Sequence, residues 1–580
     1  LSFISIMGTS KVVSYFLKHH QFSLYESLYE DGMRMFDTAP GRFIQISKSE
    51  KITIIEDRDG VESCYFVNSR CCDKVLSEIT DFLNMKRTEQ TFDFMESKKI
   101  MIEVSNYILT EVKKLLAEMD TKQLLISLLK LHHAMIYWSK LTQRRYESLS
   151  KAYSFLNATF DNQLDYVNEY SEMNTLTQGM IESIVLNDIH NTCGKLGLEK
   201  LDRLFALMHF SLNMGVYMDH LGEKIKGSEL IILKNGRLVM PRPIIDKLNA
   251  YFYRLRELSM SNPDLYTKLH NLIPTSSIDT NDKTFVKAYK AQFGISFEKY
   301  YKILTASIDY AYNNKKPIMI LPKKKFFDKV CAGILDKEEV EAFMANFVLT
   351  KELNNGALNS DKWIQRFNRP VQITARPWIL FESNIYYSTK TLYESWMIRI
   401  ERLNNGTVVN TTPEMQALIS KVNNKKGHEF TLNVRKFYES LSLDFLYVNS
   451  EVEIMPEKPL NSHKKLGDID ILLINKKNKQ IICIEAKNFS ESRTAYELIQ
   501  QNRKIITKEL SHVIDRDVWC KNNIDKFKFY MPDIDDQYSI NTIFLTYHEN
   551  AYKYFEHDQE NNITFLSAID IVADPMIVFT

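Results

Sequence analysis

Two aliphatic runs, Gly467-Asp468-Ile469-Asp470-Ile471-Leu472-Leu473-Ile474-Asn475 and Gln480-Ile481-Ile482-Cys483-Ile484-Glu485-Ala486-Lys487, are joined by the polar stretch Lys476-Lys477-Asn478-Lys479. Both runs have the length and β-branched content of strands, and the residues between them are turn formers. A turn centred on Lys477 and Asn478 sets an antiparallel register in which Asp470 stands directly opposite Glu485. Period-two alternation then places Glu485 and Lys487 on one face, and Asp468 and Asp470 on one face of the partner strand. Two carboxylates and an ammonium therefore meet on one side of a hairpin that is otherwise almost wholly aliphatic.

Facing carboxylates repel each other, so burying them together calls for a cation. Carboxylate oxygens suit the hard ions Mg²⁺ and Mn²⁺, and no nearby Cys–His set offers the softer ligands that zinc prefers. Magnesium held by one or two carboxylates takes its other ligands from water and a substrate phosphate. An ion in that position would acidify a water and neutralise charge on a phosphate under attack. Lys487 is placed to orient or deprotonate the water, or to stabilise the pentavalent transition state. Phosphodiester hydrolysis is the reaction that these parts fit. A lone Glu-x-Lys at a strand end is usually just a solvated strand end. The two aspartates that open the facing apolar strand argue for the chemical reading.

Gly-Asp-Ile-Asp-Ile-Leu followed by Ile-Cys-Ile-Glu-Ala-Lys-Asn resembles the core motif of the PD-(D/E)XK nuclease superfamily, with its restriction-endonuclease-like fold. Within that superfamily the chain looks most like the nuclease-related domain called NERD. The resemblance makes Asp470 and Glu485 metal ligands and Lys487 the catalytic lysine. Asp468 matches the acidic residue two before the Asp, and Ala486, between Glu485 and Lys487, is counted with the metal-site residues. Gly427-His428-Glu429-Phe430 resembles the opening of the family's first helix, which makes Glu429 a candidate catalytic residue. Gln501-Asn502-Arg503 resembles a Gln-containing stretch on the helix after the motif, which does the same for Gln501. The literal Pro of the motif is replaced by Ile469, as in many branches of the superfamily. The resemblance covers about residues 416 to 580.

The flanks must supply the elements that hold this hairpin. Phe430, Val434, Phe437 and Leu441 recur at helical spacing over residues 428 to 443. Asp444 to Val448 reads as a strand before the hairpin. Thr494 to Val513 reads as a helix that buries Ile499, Ile506, Leu510 and Val513. Asn541 to Tyr547 and Ile563 to Leu566 read as two late strands. This order predicts one mixed sheet flanked by helices. Lys464, Lys465, Lys476, Lys477 and Lys479 around the motif read either as solvated residues or as contacts to nucleic-acid phosphates.

A chain of 580 residues is too long for one core. We expect a multidomain α+β protein: a mainly helical region over 1 to 270, a second over 271 to 415, and the nuclease-like α/β domain over 416 to 580. Hairpins are expected within 52–67 around Asp59-Gly60, 230–240 around Asn235-Gly236, and 378–387 around Ser383-Asn384. Val104, Ile108, Val112 and Leu115 form one helical stripe, and Leu124 to Leu141 form another apolar helix. His132-His133 inside it reads as one packed and one exposed histidine. Lys323-Lys324-Lys325 reads as a solvated loop.

Hydrophobic content of 44% and charged content of 25% are ordinary for a globular protein. The formal net charge of +1 excludes a globally basic nucleic-acid binder. No apolar run approaches the ~18 residues of a membrane span, and Leu1 to Ile6 lack the basic flank of a signal peptide. The 7 scattered cysteines point to a reducing cytoplasm. No Walker-type phosphate loop is present. The expected protein is a cytoplasmic, Mg²⁺- or Mn²⁺-dependent nuclease acting on nucleic acid, taken as DNA, in bacterial defence. A second copy of the chain or another defence protein is its expected partner. Two other readings are a catalytically inactive nucleic-acid-binding scaffold that keeps the fold, and a helical interaction module that binds no metal.

Overall fold

The structure, a computed structural model, describes residues 44–46, 52–54, 69–83, 89–152, 161–191, 194, 198–234, 237–275, 277–353, 372–408, 411–492, 494–557 and 562–580. They form a mixed, mainly helical α+β protein with several sheets. The chain divides into two compact units. One comprises Leu1–Met218, Glu229–Met240 and Thr280–Arg402; the other comprises Asp219–Ser228, Pro241–Asp279 and Leu403–Thr580. Among the described residues no helix is long and apolar enough to cross a membrane.

In the first unit, helix Phe94–Ala117 buries Val104, Ile108, Val112 and Leu115, the expected stripe. Helix Thr121–Ala152 is covered on more than one side, since Leu124, Leu125, Leu128, Leu129 and Leu131 are all buried. Both His132 and His133 are consequently buried, where one was expected to be exposed. Burial pushes their imidazoles down, to about 3 and about 4, so both are neutral. Trp378–Phe381 and Asn384–Ser388 form the expected antiparallel hairpin. Its two-residue loop is Glu382-Ser383, one position earlier than expected, with φ of 47° and 62° as in a type I′ turn. Asn384 opens the return strand, its side-chain amide donating to the Glu382 carbonyl at 2.9 Å. Ile231–Ile232 pairs with Leu238–Val239 as expected, although Asn235 and Gly236 themselves lie outside the described residues. Ile52–Ile54 pairs with Ile44–Ile46, and the expected turn at Asp59-Gly60 also falls outside the described residues. Lys323–Lys329 is a short helix rather than a loop; Lys323, Lys324 and Lys325 are exposed on its first turn.

The second unit is built on a five-stranded sheet. Its elements in chain order are α1 (Pro243–Ser261), α2 (Pro263–Asn271), α3 (Pro413–Ser440), β1 (Leu446–Ile454), β2 (Gly467–Asn475), β3 (Gln480–Lys487), α4 (Ala495–Lys504), α5 (Leu510–Lys521), β4 (Ser539–Thr546), β5 (Ile563–Ser567) and α6 (Ala568–Ala573). The strands lie in sequence order; β1, β2 and β3 are antiparallel neighbours, while β3, β4 and β5 run parallel. The sheet is thus mixed, as the order of elements implied. Helix α3 starts well before Gly427 and lays Phe430, Val434, Phe437 and Tyr438 against Ile471, Leu473, Ile482 and Ile484. Leu269 and Leu272 join the same core, and Arg254 of α1 pairs with Asp570 of α6 at 2.7 Å. The compact unit therefore recruits chain from far upstream of the 416–580 stretch.

Between α4 and α5 the helix continues through a π-turn, Ile505–Glu509, closed by the Leu510 N–H donating to the Ile505 carbonyl. That wider turn inserts one residue into the helical phase. Ile505 is consequently buried and Ile506 is 43% exposed, the reverse of the expected stripe.

Phe430→Ala is expected to lower the stability of the second unit by ~3–5 kcal/mol, because a fully buried ring leaves a cavity between α3 and the sheet. Leu432→Ala, at a 37% exposed position of the same helix, should change it by no more than ~0.5 kcal/mol. Native-state hydrogen exchange of the β2 and β3 amides would measure both; equal effects would contradict the packing described.

Candidate active site

The β2–β3 hairpin has the register that the turn residues predicted: Asn475 pairs with Gln480, and the ladder runs down to Ile471 opposite Ile484. One step further brings Asp470 to Glu485, but there the strands part. On its other side Asp470 is also released. β1 pairs Ser450 with Ile471 and Val452 with Ile469 but skips Glu451, whose φ is +54°. Regular alternation breaks at this point: Ile469 and Leu472, an odd number of residues apart, pack in the same core cluster. The Asp470 carboxylate turns across the gap instead, and its Oδ2 accepts the Ala486 N–H at 2.7 Å.

Glu485 and Lys487 lie on the β3 face that Ile481 and Cys483 also occupy, the face covered by α5. Glu485 is buried, and both its oxygens are engaged. Oε1 pairs with the Lys487 ammonium at 2.6 Å, and Oε2 accepts from the guanidinium of Arg516 on α5. Lys487 also faces Glu509, in the π-turn, at 3.9 Å. Burial raises the Asp470 carboxyl well above the usual carboxylate range, and the charge of Glu485 beside it raises it further. Lys487 goes the other way. Burial disfavours its ammonium, but Glu485, Asp470 and Glu509 outweigh that and hold its pKa above the ordinary lysine value. Lys487 is therefore a cation at neutral pH.

The remaining candidates are placed around this cluster. Asp468 is two positions along β2, close enough for its charge to act on Asp470. Gln501 is buried on α4, and its amide donates to the Ser490 carbonyl at 3.1 Å. It thereby ties down the segment that follows the Glu485–Lys487 strand. Glu429 lies beside Lys426 on α3, the helix that covers the opposite face of the sheet from Glu485. Lys479 is bound to Asp535 at 2.7 Å, and Lys476 and Lys477 are exposed on the turn. Five residues of strand separate that turn from Asp470. At ~3.3 Å per residue its lysines stand ~16 Å away, too far to touch a phosphate at the carboxylates.

Sequence reasoning missed Glu509 and Arg516. An α-helical period cannot find them as a pair with the strand, because the π-turn resets the phase of everything after Ile505. Gly467 carries a faint signal. Its φ is +92°, a conformation that favours glycine, and a Cβ there would stand 2.9 Å from Nη1 of Arg516, so the guanidinium packs directly on it.

Among the described residues no group of three or more His, Cys, Asp and Glu side chains is arranged to enclose a metal ion. Asp470 and Glu485 nevertheless fit a divalent ion. They supply only oxygens, one is raised in pKa by burial and by the other's charge, and Mg²⁺ needs just one or two protein carboxylates when substrate and water complete its shell. The recess beside Glu485, lined by Ile469, Cys483, Glu485, Val513, Arg516 and Cys520, has room for about 10 Å³, no more than a single water. That is far below the ~300–1,000 Å³ of small-molecule pockets.

Residues 247–521 match a protein family described as "Anti-phage protein Upx-like". The match covers just under half the chain, takes in Asp470, Glu485, Lys487, Glu509 and Arg516, and ends on the last residue of α5. No curated protein and no solved structure matches the chain.

Asp470→Asn should raise the melting temperature in chelator at pH 7. The folded-state pKa of Asp470 is raised, so its ionised form opposes folding above the ordinary aspartate pKa. The amide removes that charge and can still accept the Ala486 N–H. A gain of ~1 kcal/mol would appear as ~2–4 °C in a unit of this size, and should vanish at a pH where the unfolded aspartate is itself protonated. An unchanged or lower melting temperature at pH 7 would show that Asp470 is not strained by its neighbours.

Proposed function

We propose that the protein is a metal-dependent nuclease of the PD-(D/E)XK kind that hydrolyses DNA phosphodiester bonds in defence against phage. The observation that carries this is the meeting of Asp470, Glu485 and Lys487 where β2 and β3 part, with Asp470 raised in pKa and Lys487 held as a cation. Similarity to a family described as anti-phage supports the defence setting. The recess is too small to take in a small molecule, which supports a substrate lying across the strand ends.

Asp470, Glu485 and the backbone of Ala486 would hold Mg²⁺ or Mn²⁺, which when bound would supply charge neutralisation at the phosphate and acidify the attacking water. The chain's own residues do the rest. The Ala486 N–H fixes the Asp470 carboxylate in orientation. Lys487, already protonated, suits orienting a water or stabilising charge that develops on phosphate oxygens better than it suits proton abstraction. Gln501 keeps the strand end from drifting through Ser490. Glu509 steadies the ammonium from the far side.

Purified protein should cut plasmid DNA with Mg²⁺ or Mn²⁺ and lose that activity in EDTA. Ca²⁺ should bind but support little cleavage, because its longer bonds and looser geometry misplace the phosphate. Lys487→Ala should reduce cleavage by ~10²–10⁴-fold while leaving Mn²⁺ affinity nearly intact. Asp470→Ala should lose Mn²⁺ binding and cleavage together. Cleavage in EDTA, or a Lys487→Ala enzyme as fast as the wild type, would defeat the proposal.

A further inference from the structure

Glu485 presents a difficulty for any reading in which it binds a divalent ion: both its oxygens are already paired with cations. An arriving ion must displace Lys487, Arg516 or both. The two are not equivalent. Lys487 lies two residues away on the same strand, and it is drawn also by Asp470 and Glu509, so it can shift among carboxylates without leaving the cluster. Arg516 comes from a different element, and among the described residues Glu485 is the carboxylate with which it pairs. Its side chain is only 12% exposed, and its Nη1 packs against Gly467. A guanidinium buried to this degree against a buried carboxylate is a built contact.

On these grounds, and resting on the nuclease reading, we propose that Arg516 is a cationic latch on the metal site. Its guanidinium occupies Oε2 of Glu485 and neutralises it. When Glu485 turns to a divalent ion, Arg516, which lines the same recess, is released. The released guanidinium carries an unpartnered charge with a planar fork of donors. Such a fork matches two oxygens of a phosphate better than an ammonium does. The partner it takes is the backbone phosphate of the nucleic acid beside the scissile bond. Metal and substrate then help each other to bind, because the phosphate keeps Arg516 from returning to Glu485. Without ligand, Lys487 and Arg516 offset Glu485 and Glu509 and leave Asp470 without a cation of its own; with ligand, the divalent ion takes Asp470 and Glu485, and the phosphate takes the arginine.

The latch makes two effects move in opposite directions. Calorimetric titration of the full chain with Mn²⁺ alone should show Arg516→Gln binding Mn²⁺ ~10-fold more tightly than the wild type, because a competing unit charge is gone. Plasmid cleavage at saturating Mn²⁺ should fall ~10²-fold, the size of effect seen when one charge-stabilising donor is lost. Arg516→Lys, which keeps the charge but not the fork, should keep near wild-type Mn²⁺ affinity and still cleave poorly. It also guards against misreading a folding defect, since a merely structural arginine would lower metal affinity and cleavage together in both variants. Unchanged or weaker Mn²⁺ binding by Arg516→Gln, with the wild type binding Mn²⁺ normally, overturns the latch and leaves the nuclease reading standing. A wild type that binds no Mn²⁺ sinks both.

Discussion

The charge of one buried carboxylate, Glu485, organises the second unit. It sits near the end of a strand whose other face is packed with aliphatic side chains, where an unpaired charge would cost several kcal/mol. Everything around it answers that cost. Lys487 follows two residues later on the same face, and Arg516 reaches in from α5 with its guanidinium packed on Gly467. The second carboxylate, Asp470, is brought alongside with no cation of its own, held by a backbone N–H and pushed up in pKa by its neighbour. A fold built only for stability would replace such a group with an aliphatic residue, as it has done along most of β2. The cluster is therefore held in place against its own repulsion, as sites with chemistry to perform tend to be.

Geometry turns that electrostatic problem into an accessible site. Antiparallel strands in register would seal Asp470 and Glu485 into a ladder. Here pairing with β3 stops at Ile471, and the left-handed residue Glu451 on β1 removes the other neighbour from the ladder. The unpaired stretch frees one carboxylate to swing toward the next strand. The π-turn does the equivalent on the helical side. One extra residue after Ile505 places Glu509 near Lys487, and two turns further Arg516 reaches Glu485. Two local irregularities, one in a strand and one in a helix, face each other across the same cluster.

These irregularities also mark where the sequence could be read and where it could not. The hairpin register was legible because two aliphatic runs of strand length flank a short polar stretch, and because Asn475 and the residues after it form a tight turn, with the Asn475 side chain accepting the Lys477 and Asn478 N–H groups. The α3 stripe was legible because Phe430, Val434, Phe437 and Leu441 all reach the same core at unbroken helical spacing. The inversion of Ile505 and Ile506 was not, since a π-turn leaves no mark on composition. Nor could sequence spacing show that α1 and α2 pack on this sheet, or that Arg516 belongs with Glu485, because those contacts join segments whose local patterns say nothing of each other. The pairing of His132 with Thr391 at 2.9 Å in the other unit is hidden for the same reason.

The lysines show how structure can narrow a functional reading that sequence leaves open. Five of them near the motif suggested phosphate contacts. Lys479 is spent on Asp535, Lys464 faces Asp515, Lys465 is exposed, and the turn that carries Lys476 and Lys477 lies at the far end of the hairpin from the carboxylates. Of the cations close to the cluster, Lys487 and Arg516 are already committed to carboxylates, and Lys504 lies over the Phe489 ring. Under the proposed latch, positive charge for a substrate phosphate is released within the site. In a protein with a formal net charge of +1, such a latch would keep Arg516 from a phosphate until Glu485 has found another cation.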